Sequence, residues 1–371
     1  MIKVQDIINI LETNFPPYLA ESWDKIGLQV GNPKTTVRKI LVTLDVTESA
    51  IKEAIQQKAN LIISHHPFIF HPIVSLIESD IQTRIISLLL KYKISVYVAH
   101  TNLDFAPDGT CHSLAKELKL HNIRGLNPVY ESAFKKLVVF VPLSHLEKVS
   151  QAMFSAGAGI IGDYSHCSYR IEGTGTFQGS DSTNPFLGKA GKLETVKETR
   201  LEVLVPADKV QIVLRAMRSA HPYEEIAYDI YPLENPHPKT SKGVIGELPK
   251  PVLLNRWAKD VKSQLRLKGL RIIGKPDWQI RTVGVVTGSG ADFIPNAVRQ
   301  GCNAMVTGDV KYHQSLYALD CGLAVLDIGH YPSESRYLLV LVKQLTKSIK
   351  TLKWNIPVVV SRTGSDPFRF L

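Results

Sequence analysis

A gap-free internal repeat constrains the fold of this chain more than any other feature. Residues 38–66 (RKILVTLDVTESAIKEAIQQKANLIISHH) align without a gap with residues 281–309 (RTVGVVTGSGADFIPNAVRQGCNAMVTGD). Each copy has the pattern of a strand, a helix, a second strand and a polar cluster. Strands joined through helices favour a largely parallel sheet with helices on both faces. The repeat therefore predicts a duplicated α/β core with mainly parallel sheets.

The two halves also correspond beyond the repeat. In both, the polar cluster is followed by a helix, a strand and a second polar loop. The predicted ranges are 80–91 and 312–320 for the helix, 95–99 and 323–327 for the strand, and 100–104 and 329–334 for the loop. Each half thus sends two polar loops off the carboxyl ends of strands, which is where open α/β sheets place their ligands.

A second repeat with a different offset interrupts this core. Residues 137–142 (LVVFVP) correspond to residues 201–206 (LEVLVP), and an amphipathic helix and a further strand follow each segment. Two such units predict a ferredoxin-like α+β insert. The Pro-rich stretch 233–242 has the composition of a linker. The predicted domains are a discontinuous α/β core at 1–127 and 236–371 and an insert at 128–235.

The polar loops of the core are rich in imidazoles and carboxylates. They carry His65 with His66, His100 with Asp104, Asp309 with His313, and His330 with Glu334. In isolation, the adjacent pair His65 and His66 could equally be two polar loop residues. Glu334 could equally be a carboxylate that interacts with the N-terminus of the helix that follows it. The convergence of four such loops favours a metal site over these alternatives.

Histidine mixed with carboxylate, without cysteine, suits zinc, manganese or iron. The candidate ligands are His65, His66, Asp104, His330 and Glu334. This set exceeds the three protein ligands of a mononuclear catalytic zinc site. We therefore predict a dinuclear site with two divalent ions roughly 3.5 Å apart and water or hydroxide between them.

Four further residues are expected around this site. Asp45 could accept a proton from a ligand histidine and fix its tautomer, or it could cap the helix predicted at 47–57. His100 and His313 are the candidates for proton transfer as catalytic residues. Asp309 is expected to contact substrate or to support a ligand from behind.

The segment Gly288-Ser289-Gly290 lies between a predicted strand and a predicted helix. Its amides could bind an anion at the N-terminus of that helix. It lacks, however, the lysine of a P-loop and the third glycine of the dinucleotide-binding fingerprint. A tight strand-to-helix turn is therefore the favoured interpretation.

Charge and composition restrict the remaining function classes. A net charge of +10 over 371 residues permits contact with nucleic acid or phosphorylated substrates, but no run of five like charges and no nucleic-acid-binding fingerprint occurs. Four cysteines without CxxC spacing indicate neither a disulfide framework nor a zinc finger. Lys91 and Lys93 interrupt the longest apolar region, so we expect no membrane span. Acidic residues near the N-terminus argue against a signal peptide, and a cytoplasmic location is expected.

Together these motifs resemble the Nif-three-like family, whose members are commonly called GTP cyclohydrolase I type 2 homologues. The motifs that carry the resemblance are WDKIGLQVG at 23–31, SHHP at 64–67, HTNLD at 100–104, GSG at 288–290, TGD at 307–309 with His313, and GHYPSE at 329–334. The chain departs from the family pattern at Lys25, where asparagine is more common, outside the metal motifs. The insert, with HPYEE at 221–225, is similar to the CutA/PII-like domain of longer bacterial members.

The resemblance implies a dinuclear metal centre with the five candidate ligands named above and Glu334 as the bridging ligand. It also implies a toroidal homohexamer whose metal sites face an internal cavity. One expected function is a metal-dependent hydrolase that acts on a nucleotide or a related heterocycle, with ring opening of GTP as the named reaction. The alternative is a non-enzymatic metal-binding regulatory or scaffold ring that could also contact nucleic acid.

Overall fold

The computed structural model describes residues 1–77, 79–128, 134–162, 164–233 and 241–370. The strands are β1 (Gly27–Val30), β2 (Ile40–Thr43), β3 (Leu61–Ser64), β4 (Ser95–Val98), β5 (His121–Pro128), β6 (Phe134–Pro142), β7 (Ser168–Gln178), β8 (Leu193–Pro206), β9 (Tyr228–Pro232), β10 (Ser241–Leu253), β11 (Arg271–Ile273), β12 (Gln279–Val285), β13 (Ala304–Thr307), β14 (Ala324–Asp327) and β15 (Val358–Val360). The helices are α1 (Val4–Asn14), α2 (Glu48–Gln56), α3 (Ile81–Lys91), α4 (Thr101–Asp104), α5 (Thr110–Glu117), α6 (Leu146–Ser155), α7 (Val210–Ala220), α8 (Leu254–Gln264), α9 (Ile294–Arg299), α10 (Tyr312–Asp320), α11 (His330–Glu334) and α12 (Tyr337–Thr351).

The chain divides into two compact units. One unit joins residues 1–128 to residues 238–371, and the other comprises residues 129–237. Residues 234–240, most of the predicted linker, lie outside the described residues. The predicted fold class, a mixed α/β protein, is confirmed by the sheets and helices of both units. Across the described ranges, no helix has the length and apolar character needed to cross a membrane.

The first sheet of the larger unit is mainly parallel, as predicted. Its strand order is β1-β4-β3-β2-β15, and only β1 and β4 pair antiparallel. Strands β2, β3 and β4 are buried along their whole length, because helices cover both faces. Ile40 packs with Ile7 of α1 and Leu341 of α12, whereas Leu41 packs with Ile51 of α2 on the opposite face. Alternation along each strand thus builds two apolar layers.

The second sheet is mixed: its central strands are parallel, as predicted, and antiparallel strands extend it on both sides. Its order is β11-β14-β13-β12-β10-β5, in which β12, β13 and β14 pair parallel and the other neighbours pair antiparallel. Strands β12 and β13 lie in the second copy of the repeat, and β14 is the strand that follows it. Pro128 and Ser241 pair across β5 and β10, so the chain leaves this sheet and returns to it at adjacent positions. Antiparallel neighbours suit such a return, because parallel neighbours need a crossover.

The smaller unit is one antiparallel sheet with two helices. Its order, β7-β8-β6-β9, is the order that two linked strand–helix–strand units give in a ferredoxin-like fold. Val139 on β6 packs against Met153 of α6 and Met217 of α7. Because side chains alternate along a strand, Phe140 and Glu198 lie on the sheet face opposite the helices.

Candidate metal centre

The predicted metal ligands meet at the carboxyl ends of parallel strands. His65 and His66 follow β3, Asp104 ends α4 behind β4, and His330 and Glu334 are the two ends of α11 behind β14. The two loops predicted to carry these last three residues are therefore single-turn helices. His65, Asp104 and Glu334 form one group whose ligand atoms lie within 4.8 Å of one another, and His66, His330 and Glu334 form a second group.

Glu334 lies at the centre of this cluster. Its Oε2 atom is 2.9 Å from His66 Nε2, 3.2 Å from His330 Nε2 and 3.6 Å from His65 Nε2. Burial alone would raise the pKa of Glu334, but the imidazoles, His65 foremost, hold it well below its ordinary range. The carboxylate faces three histidines, so its surroundings are those of a ligand shared between two groups and not those of a simple helix cap.

His65 presents a buried nitrogen that has no hydrogen-bond partner among the described residues. Its Nδ1 atom lies 3.0 Å from the carbonyl oxygen of Ala99. A carbonyl only accepts, so the hydrogen is assigned to Nδ1 and the lone pair to Nε2. Nε2 is enclosed without a partner, 3.6 Å from one oxygen each of Asp104 and Glu334. Leaving such a group unpaired is costly, and a cation between it and the two carboxylates would remove that cost.

His66 and His330 are held in the same way by two aspartates. His66 Nδ1 lies 2.8 Å from Asp45 Oδ1, and His330 Nδ1 lies 2.7 Å from Asp309 Oδ2. Carboxylates behind ligand histidines fix the tautomer that leaves Nε2 free for a metal. The two Nε2 atoms face each other at 3.2 Å. Positive charge between these two nitrogens, from protons or from a metal ion, offsets their repulsion at this distance.

Asp45 contacts a candidate ligand histidine and does not cap helix α2. Its carboxylate accepts from His66, and the cap of helix α2 is the side chain of Thr47, which accepts from the amide of Ala50. Burial lowers the pKa of His66, but Asp45 and Glu334 outweigh burial and raise it to about 10.

His330 and His65 also attract positive charge. The hydrogen bond with Glu334 is the largest cause that raises the pKa of His330, to about 9. Burial lowers the pKa of His65, but the Asp104 and Glu334 carboxylates raise it above its ordinary value. Without a metal the cluster therefore holds protons, and a divalent ion would take their place.

The two histidines predicted to be catalytic lie in different surroundings. The His100 ring is centred 5.2 Å from the ring of His65 and 5.7 Å from that of His66. His313 is exposed on the first turn of α10 and contacts the ring of Tyr312. It belongs to none of the metal-capable groups in the described part of the chain, and its catalytic role stays a prediction.

Asp24 is a functional candidate to which the sequence analysis assigned no role. Its Oδ1 atom lies 2.9 Å from His100 Nδ1, and Oδ2 accepts from the amide and the hydroxyl of Thr101. Burial would raise the pKa of Asp24, but His100 and Thr101 lower it to about 2. Asp24 thus stays ionised and orients His100. Its place in the WDKIGLQVG motif was the signal that could have identified it.

Gly288 is a second residue whose part in the site the sequence analysis did not identify. Its φ of +63° is left-handed, and a Cβ atom there would lie 2.2 Å from Glu334 Oε1. The amides of Gly288 and Gly290 donate to the hydroxyls of Ser333 and Thr307. These internal bonds are those of a tight turn, and the turn makes room for the shared carboxylate.

Two threonine hydroxyls hold Asp104 by the same oxygen atom that lies 3.6 Å from His65 Nε2. The hydroxyls of Thr110 and Thr287 both donate to its Oδ1 atom. Burial is the largest cause that raises the pKa of Asp104. These threonines lie in positions that no pattern in the sequence distinguishes.

The fold and the cluster define a class: an α/β protein with histidine and carboxylate groups at its strand ends that could bind metal ions. A family model described as Duf34/NIF3 (NGG1p interacting factor 3) matches residues 2–367. The chain belongs to this family, and the resemblance inferred from the motifs is confirmed.

Relatives of known name and structure cover the chain from end to end. The GTP cyclohydrolase 1 type 2 homolog of Bacillus subtilis (strain 168) is 41% identical over 370 residues, which is 100% of this chain and 99% of that protein. The protein of the same name from Halalkalibacterium halodurans is 40% identical over 368 residues, covering 99% and 98%. The crystal structure of a Bacillus cereus protein related to NIF3 matches with a TM-score of 0.84 at 41% identity, covering 100% and 99%.

Proposed function

We propose that this protein is a hydrolase that holds two divalent metal ions, zinc, manganese or iron, and acts on a nucleotide or a related heterocycle. The observation that supports it most is the buried, unpartnered Nε2 atom of His65 between two carboxylates. Three groups of the described residues could hold a metal, and Glu334 belongs to two of them, whereas the third consists of His65, His66 and His100. The presence of Glu334 in two groups supports a pair of ions that share it. The names of the relatives support the choice of substrate class.

The residues of the cluster would have different roles in such a reaction. Divalent ions bound here would lower the pKa of a water molecule and polarise the electrophile that it attacks. Asp45 and Asp309 keep His66 and His330 in the tautomer that leaves Nε2 for the metal. His100, oriented by Asp24 and next to the ligand histidines, is placed to accept and return a proton.

A cavity of about 370 Å³ beside the cluster supports a phosphorylated substrate. Its lining includes His330, three aspartates (Asp309, Asp327 and Asp366), Arg271, Phe368 and Arg369. The Arg271 side chain is 66% exposed although it pairs with a buried aspartate. Guanidinium groups bind phosphate oxygens in a bidentate manner, and a phenyl ring offers a flat surface to a heterocycle.

The test compares metal-free protein with protein reconstituted with Zn²⁺ or Mn²⁺. Each form is incubated with GTP and a panel of nucleotides, and products are separated chromatographically. We expect turnover only in the metal-loaded protein, its loss in Glu334→Gln, and its retention in Asp320→Asn, an exposed control at the end of α10. Arg369→Gln should raise KM more than it lowers kcat, because it would weaken binding of the phosphate.

Absence of turnover with every substrate, in protein shown by elemental analysis to carry metal, would refute the hydrolase. Such a result would leave the metal-binding role in place and favour the non-enzymatic alternative. The Glu334→Gln variant should then lose metal without any effect on a reaction.

A further inference from the structure

A second cavity lies within the inserted unit, on the sheet face opposite helices α6 and α7. Its volume is about 280 Å³, near the lower end of the range for small-molecule pockets. Phe140 on β6, Glu198 on β8 and residues 175–179, which include Phe177 of β7, line it together with residues from the segments 183–187 and 223–227. The cavity is thus built entirely from residues of the smaller unit and is separate from the metal centre.

The lining is acidic, although the chain as a whole is basic. Glu198, Glu224 and Glu225 line the cavity, and no lysine, arginine or histidine does, while the chain carries a net charge of +10. On the same sheet face Glu202 is paired with Arg200 at 3.0 Å. Glu198 forms no ion pair within the described residues. Its charge is therefore available to a ligand.

A glycine on the neighbouring strand β7 leaves space for the Glu198 carboxylate. A Cβ atom at Gly175 would lie 2.4 Å from Glu198 Oε2, so the absence of a side chain at residue 175 makes room for the carboxylate. The Tyr223 hydroxyl is enclosed, with no hydrogen-bond partner of good geometry among the described residues. Burial and the nearby Glu198 raise the pKa of Tyr223, so the hydroxyl stays neutral and its oxygen can accept a hydrogen bond.

Aromatic rings surround these acceptors. The Phe186 ring is centred 6.2 Å from the Tyr223 ring, and Phe177 lines the same cavity. A hydrogen bond links the segment that carries Phe186 to the segment that carries Tyr223, because the amide of Asn184 donates to Glu224 Oε1 at 3.1 Å. Ring faces attract cations, and more strongly where the cation is partly desolvated.

A chelated metal ion is a poorer fit to this lining. The groups of three or more ligand side chains that could hold a metal, among the described residues, all lie in the larger unit. Here the carboxylates are distributed around apolar walls and do not converge on one point. The lining suits a ligand with one charged end and an apolar body.

We propose that this cavity binds a small organic cation, a primary ammonium group on an aromatic or apolar body. Glu198 and the Tyr223 hydroxyl accept hydrogen bonds from the ammonium, and Phe177 and Phe186 enclose the body. The insert would thus carry a ligand site of its own.

The test is calorimetric titration of the full chain, freed of metal by a chelator so that no amine can bind a metal ion. The probes are benzylammonium, benzyl alcohol and benzoate, which share a ring and differ in charge. We expect benzylammonium to bind about tenfold or more tightly than benzyl alcohol, and benzoate not to bind, because a charge-assisted hydrogen bond is worth about that factor.

Two variants and a control locate the binding. Glu198→Gln should weaken benzylammonium about tenfold, whereas Glu172→Gln, an exposed residue of β7 outside the lining, should leave it unchanged. Phe186→Leu should weaken it severalfold through loss of the ring face. Phe186 is 49% exposed, so this variant keeps the test valid if Glu198→Gln unfolds. Equal affinity for the three probes, no binding at all, or unchanged affinity in Phe186→Leu would each overturn the proposal.

Discussion

Replacement of Gly288 with alanine should disrupt the metal centre, although the added methyl group has no chemistry of its own. The new Cβ atom would lie 2.2 Å from Glu334 Oε1 and 3.5 Å from His330 Nε2. A carboxylate at the end of a flexible side chain ordinarily moves aside. Glu334 is 3% exposed and is surrounded by imidazoles, so moving it breaks its contacts with His65, His66 and His330.

Gly301 provides the matched control. Its φ of +71° resembles the +63° of Gly288, but nothing lies within 4 Å of a Cβ atom built on Gly301. Left-handed backbone costs an alanine about 1–2 kcal/mol at either position. Gly288→Ala must also separate a buried carboxylate from its partners, which costs about 3–5 kcal/mol. The difference between the two variants therefore isolates the crowding of Glu334.

Tryptophan fluorescence during urea unfolding measures this difference in metal-free protein. All four tryptophans, Trp23, Trp257, Trp278 and Trp354, lie in the larger unit, so the signal reports on the unit that holds the cluster. Gly301→Ala should lose about 1–2 kcal/mol of the free energy of unfolding and keep the zinc content of the natural protein after reconstitution. Gly288→Ala should lose about 3 kcal/mol more and retain little zinc. Equal stability and equal zinc content in the two variants would refute the argument.

Four further predictions concern the cluster and the assembly. Asp45→Asn and Asp309→Asn should each weaken zinc binding about tenfold in a chelator competition. This is the low end of the effect of such supporting residues, because the two side chains are 53% and 46% exposed. The control Asp320→Asn should have no effect, and a strong effect of only one of the two aspartates would contradict their common role of orienting a ligand histidine. The pKa values of His66 and His330 are about 10 and about 9 without metal, so zinc binding at pH 7 should release about two protons. Calorimetry in buffers of different ionisation enthalpy measures this release. Zinc binding without proton release would contradict the prediction. These values lie above the ordinary 6.5, so the stability that the two histidines give the metal-free protein is present below that pH and lost as pH rises through 9 and 10; urea unfolding at pH 6, 8 and 10 should show the loss, and constant stability would refute it. Light scattering should show the hexamer implied by the family resemblance, and the mass of one 41.3 kDa chain would remove that prediction.

The helices and strands of the two related halves were predictable because hydrophobic periodicity is a local property of the chain. The helices expected at 80–91 and 312–320 occur as α3 (Ile81–Lys91) and α10 (Tyr312–Asp320). The single-turn helices α4 and α11 were predicted as loops. A single turn is too short for its own periodicity to be recognised or for its hydrogen bonds to stabilise it alone, so tertiary contacts determine its conformation.

The pairing of strands in the second sheet was harder to predict from the sequence. Nothing in the pattern of β5, β10 or β11 states which neighbour each strand takes or in which direction it runs. Alternation of apolar residues indicates which face is buried, whereas partner and direction depend on the path of the whole chain. The expectation of mainly parallel sheets therefore holds for the first sheet and for strands β12 to β14 of the second.

The sequence by itself determined the chemical nature of the site: imidazoles and carboxylates, without cysteine, placed directly after apolar strands in two related halves. Only the tertiary structure decided which donors meet. His66 and Glu334 are 268 residues apart yet lie within 2.9 Å, and Asp24 and Gly288 acquire their roles through residues remote in the chain. The physical reason is that residue type and periodicity are local, whereas a ring's tautomer, a carboxylate's partners and the space for one methyl group are set by packing between distant segments.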